Sequence, residues 1–120
     1  MHKTFAALAY LIVVSLGGAL FELLLRPLQV NHLTTAWILT VASAIPPLAF
    51  AADLIASIFS DTNHRTHAIS LGIGSALSIA TYLLGTLHGT PLGFVGVIAA
   101  LLLIVNVGLG IANVTKLVRP

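Results

Sequence analysis

Hydrophobic and polar positions along this chain alternate on a long scale. Four apolar runs, Phe5 to Leu25, Trp37 to Phe59, Ala68 to Leu87 and Gly93 to Val114, are separated by short polar punctuation. A bilayer core of about 30 Å is crossed by roughly 20 helical residues at about 1.5 Å rise each, and every run reaches that length. Backbone in lipid must satisfy its own hydrogen bonds, which a helix does. The pattern therefore predicts an all-α membrane protein, a single four-helix transmembrane domain over 1–120 with helices at about 4–26, 35–60, 66–88 and 92–116. The connections are too short to form domains, so sequential helices are expected to pack as antiparallel neighbours in an up-down-up-down bundle.

The boundaries carry recognisable stops and starts. Pro27 cannot donate into a helical ladder and should end helix 1 at Arg26. Asn31, Thr34 and Thr35 offer N-cap oxygens for helix 2, Ser60-Asp61-Thr62-Asn63 makes a polar turn before helix 3, and Gly89-Thr90-Pro91 a short turn after it. Lys3 and the apolar stretch behind it have the shape of a secretory signal, with Gly17-Gly18-Ala19 as a small-residue site. The run continues to Leu25, however, and reads as a spanning helix.

Composition supports this class. With 58% hydrophobic and 7% charged residues, water is not the main solvent of the chain. Its five Lys and Arg residues are scattered over helix ends and form no basic stripe, so nucleic acid is not an expected partner. They are topology signals: Lys3, Arg65, Lys116 and Arg119 fall on the side of both termini and Arg26 on the other, which predicts cytoplasmic termini in a multi-pass protein of the plasma (inner) membrane. Trp37, His32 and His88 then lie at the outer face. Cysteine is absent, which excludes disulfides, thiolate ligands and thiol nucleophiles.

Candidate chemistry is sparse. Pro46-Pro47 at the middle of helix 2 removes two donors, so the carbonyls of Ala42 and Ser43 need other partners. A structural kink and a hinge or binding element are both consistent with it. Asp53 lies about two turns further on, and an ionisable group at that depth is a site candidate by default. Asn106 and Asn113, seven apart on helix 4 with Gly110 between them, share its half of the membrane. The expected binding cluster is therefore Asp53, Asn106 and Asn113, the alternative being Asp53 at the interface paired with Lys3, Arg65 or Lys116. Glu22 precedes Arg26 by one turn in the order that favours an ion pair, the alternative being a carboxylate lining an outer vestibule. The five histidines lie at helix ends or in loops. His64 with His67, or His32 with His88, make weak metal sites, and no metal or other cofactor is expected.

Small residues recur at helical spacing: Ser70, Gly74 and Ser78, then Thr81 and Gly85, on helix 3; Gly93, Gly96, Gly108 and Gly110 on helix 4; Ser15, Gly18 and Ala19 on helix 1. Such stripes either seal the bundle internally or form an interface with another chain.

The length and four-span layout resemble the small multidrug resistance transporters, and the segment bearing Pro91, Gly96 and Asn106 is loosely similar to that family's last helix. The resemblance implies an oligomeric transporter. It covers architecture only: that family's glutamate lies near the middle of helix 1, whereas Glu22 lies near its end. The fluoride-channel family shares the size and helix number, but its Gly- and Phe-rich filter motifs are missing. The leading expectation is an oligomeric transporter or channel subunit for a small solute or ion, with Asp53, Asn106, Asn113, Pro46, Pro47 and Glu22 as binding candidates. The alternatives are a non-catalytic accessory subunit of a larger membrane complex and a membrane-embedded enzyme acting on an apolar substrate. The expected partners are the lipid bilayer and other membrane helices, in a homo- or hetero-oligomer.

Overall fold

The computed structural model describes residues 2–28, 31–56 and 63–117. Four helices dominate it: α1 (His2–Leu25), α2 (His32–Ala56), α3 (His64–Leu87) and α4 (Phe94–Leu117), with a short 3₁₀ turn at Arg26–Leu28. All four are long and apolar enough to cross a membrane. The residues Ser60, Asp61 and Thr62 of the expected polar turn, and Arg119, lie outside the described residues.

Local chemistry explains the helix ends. Asn31 Oδ1 accepts from the Thr34 N–H at 3.1 Å, so Asn31 is the cap that starts α2 at His32, before the position expected near Thr35. Asn63 does the same for α3 through the Thr66 N–H at 3.1 Å. The other end of α3 closes on Gly89, whose φ of +63° suits a residue without Cβ. There the Thr90 N–H reaches back to the Gly85 carbonyl at 3.0 Å, the long bond of a Schellman ending. Pro46 and Pro47 lie inside α2, which remains one helix through both.

The helices form a diamond in cross-section. α3 and α4 pack along its short diagonal, and α1 and α2 occupy the outer corners, each against both central helices. Among the described residues α1 and α2 make no close backbone approach, contrary to the expectation that all sequential helices are neighbours. The reason is reach. The segment from Arg26 to Asn31 can extend to at most about 20 Å, enough to step past one helix at the usual spacing of about 8–10 Å.

α3 is the hub, with 56% of its apolar stretch buried against 17–22% for the other three. It is also the helix whose inner face is small: Gly74, Ser75, Ser78, Thr81 and Gly85 are all buried. Close backbone approach needs small residues, and two of the hydroxyls are satisfied within the helix, Ser75 by the Leu71 carbonyl at 2.8 Å and Thr81 by that of Leu77 at 3.1 Å. On α1, a Cβ at Gly18 would come within 2.7 Å of the Ile79 Cβ, so this glycine sets the α1–α3 spacing. Outward-facing leucine, isoleucine and valine on α1, α2 and α4 present the apolar belt that a bilayer requires.

Candidate functional site

The polar side chains are arranged at three levels along the bundle. At the middle level the cause is Pro47. It has no N–H, so the Ser43 carbonyl loses its helical donor. Asn106 of α4 replaces that donor: its Nδ2 lies 2.9 Å from Ser43 O and 2.9 Å from its own Leu102 O. Ser43 and Asn106 are both fully buried. Gly74 of α3 makes the junction possible, since a Cβ there would stand 2.6 Å from Asn106 Oδ1 and 3.0 Å from Pro46 Cγ. Three helices thus meet through one amide, with its Oδ1 accepting nothing among the described residues.

Tyr10 makes a second cross-bundle link. Its hydroxyl donates to the Ala68 carbonyl at 2.8 Å, and its ring passes between Gly72 and Gly110. A Cβ at Gly110 would overlap the phenol, so that glycine exists to admit a side chain of α1 between α3 and α4.

At one end of the bundle Glu22 is 2% exposed and has three bonds from two partners. Arg26 grips it with Nε at 3.1 Å from Oε1 and Nη2 at 2.7 Å from Oε2, while His88 Nε2 lies 2.9 Å from Oε1. The carboxylate in turn raises the pKa of the half-exposed Arg26, through hydrogen bonding first and charge second, and so holds the guanidinium charged. The His88 ring stacks on His32 with centroids 4.4 Å apart. Through this cluster α1, α2 and α3 are joined at an end where α1 and α2 do not pack on each other.

At the opposite end Asp53 Oδ2 lies 2.6 Å from His67 Nε2, and Phe50 meets the same imidazole edge-on at 4.9 Å. His64 Nδ1 contacts Asn113 Oδ1 at 2.8 Å, and Asn113 Nδ2 donates to Leu109 O at 2.8 Å. Asp53 and Asn113 thus occupy one end, while Asn106, midway along α4, is the donor to the carbonyl that Pro47 leaves without one. The Glu22–Arg26 pair forms as the sequence order favours. The imidazoles of His64, His67 and His88 were not among the binding candidates, although each completes one of these clusters. Tyr10 was missed altogether; the signal available was a lone phenol in an apolar helix with glycines on two others. Among the described residues no group of three or more His, Asp or Glu side chains is placed to hold a metal ion.

A groove of about 460 Å³ runs along the α1–α3 face and ends near Arg65. Neither Asp53 nor Asn106 lines it. No family model, curated protein or solved structure matches the chain.

Proposed function

We propose that this chain is a non-catalytic accessory subunit of a larger membrane complex, held in the plasma membrane with both termini cytoplasmic. The observation that carries the reading is that its buried carboxylate and its two buried amides each bond within the chain, with the Thr40 and Ser78 hydroxyls and Asn106 Oδ1 the buried side-chain atoms that have no partner among the described residues. Glu22, Asn106 and Asn113, each at most 2% exposed, are bonded within the chain, and the α1–α3 groove offers almost only apolar side chains. A translocation path or an acid–base centre needs polar groups facing a cavity. A packing subunit needs only faces. The basic residues beside the helix ends support the alternating orientation and the cytoplasmic termini.

One small-residue face is left over for an external helix. Gly108 and Ala112, one turn apart on α4, are exposed, and a Cβ at Gly108 would meet nothing within 4 Å. Gly18, Gly74 and Gly110 are consumed inside the bundle; Gly108 is not. Close approach of another transmembrane helix is what such a face supports.

Native mass spectrometry from mild detergent tests the reading. A hetero-oligomer is expected, and Gly108→Leu should dissociate it while leaving the helical content of the chain unchanged. A homo-oligomer that passes solute across liposomes, with flux lost in Asp53→Asn, would instead return the transporter reading. Cysteines introduced at Asn63 and Gly89 should label from opposite sides of intact cells, Asn63 from the cytoplasm. Labelling of both from one side removes the alternating topology.

A further inference from the structure

We infer that the α1–α3 groove is a binding site for one anionic glycerophospholipid, an acyl chain lying along the groove and the phosphate resting on Arg65. This goes beyond the accessory-subunit reading and does not depend on it. The groove's wall on α1 is formed by Val13, Gly17 and Phe21, and its wall on α3 by Ile69, Gly72 and Ile73. Its volume of about 460 Å³ falls in the range of about 300–1,000 Å³ found for small-molecule sites. The hydroxyl of Tyr10, the one other polar group on the lining, is already spent on the Ala68 carbonyl. What remains is an apolar trough open along the bundle side, suited to a hydrocarbon chain.

Charge selects the headgroup. Arg65, in the first turn of α3, is the single charged residue on the lining; it is exposed and has no ion-pair partner among the described residues. Lys3 near the start of α1 and Lys116 near the end of α4 carry the same sign. A basic side chain at the headgroup end of a trough between transmembrane helices pairs with a lipid phosphate, and an added negative headgroup charge strengthens that attraction.

The test is lipid binding to the delipidated chain in mild detergent, read as bound-lipid adducts by native mass spectrometry. Phosphatidylglycerol should bind at least about fivefold tighter than phosphatidylcholine of the same chains, the ratio that about 1 kcal/mol per basic residue near a membrane surface represents. Arg65→Gln should bring the two lipids level. Val13→Trp with Ile73→Trp, two exposed positions that narrow the trough, should cut the retention of both lipids while helicity by circular dichroism is unchanged. If the tryptophan variant does not fold, the arginine variant decides the question alone. Equal retention of the two lipids by the unaltered chain, selectivity that persists in Arg65→Gln, or an equal loss from Lys116→Gln would overturn the proposal, the last by reducing the effect to general surface charge.

Discussion

Each end of the bundle holds a carboxylate beside an imidazole, yet the two are built differently. Glu22 is 2% exposed, takes a two-point grip from Arg26 and a third bond from His88, whose ring stacks on His32 of α2, the helix that α1 does not pack against. The Asp53 side chain is 40% exposed, and the two helices it bridges to His67 already pack along their length. Each lies three residues from the end of its helix, so position along the helix does not distinguish them. Burial and connectivity do: the first cluster is a buried structural joint, whereas the second is a partly exposed pair between two helices that already pack. A buried carboxylate tolerates its site only while its partners remain.

The comparison breaks most directly at Glu22. Glu22→Ala should give the largest fall in melting temperature in mild detergent of any substitution at either end, several-fold larger than Asp53→Ala. It leaves Arg26 and His88 without their shared carboxylate and breaks the link by which α1 reaches α2 through the His88–His32 stack. Glu22→Gln, which keeps the shape and can still bond both partners, should recover part of the loss. Equal melting of Glu22→Ala and Asp53→Ala would show that the first cluster joins nothing.

Between the ends, Asn106 makes a sharper test because its cause is known. Replacing it by Leu leaves the Ser43 carbonyl without a donor at mid-bilayer and should cost about 1–2 kcal/mol, the upper range for hydrogen bonds between membrane helices. Pro47→Ala restores a backbone N–H four residues after Ser43. In that background Asn106→Leu should cost clearly less, a coupling that a double-mutant cycle reads directly. Strictly additive losses would mean that the asparagine does not serve the proline. Gly74→Val should exceed Asn106→Leu, since the added branch would displace both the amide and the Pro46 ring.

These three levels were unequally visible in the linear chain. The four helices are legible because apolar runs of that length in so uncharged a chain have almost no other structural outcome. Glu22 with Arg26 is legible because i, i+4 partners share a helix face wherever the helix sits. His32 and His88 follow from their shared end. Pro47 announces that Ser43 O needs a donor, but depth alone does not say which neighbouring helix turns which face toward it. Asn106 was therefore grouped with Asp53, while the structure spends its amide on the Ser43 carbonyl. The contact of Tyr10 with Ala68 spans 58 positions and depends on glycines of two other helices, so no local window contains it. The diamond arrangement was obscured for a related reason: short connections limit reach without dictating adjacency, and the small, buried face of α3 was the better guide to the centre.

Asp53→Asn should have the smallest effect on stability. It preserves the shape and a hydrogen bond to His67 and removes a charge that is 40% exposed, so the expected change is about 0.2–1 kcal/mol, the range for partly solvated charged contacts. That smallness is what makes the variant informative about function. A stable, fully folded Asp53→Asn chain that no longer supports the proposed hetero-oligomer would show that the carboxylate charge serves assembly and not stability. A loss of stability matching that of Glu22→Gln would erase the distinction between the two ends and make Asp53 a second joint. The measurement is a pair of melting curves in the same detergent, with assembly scored on the same preparations, so that stability and function are separated in one experiment.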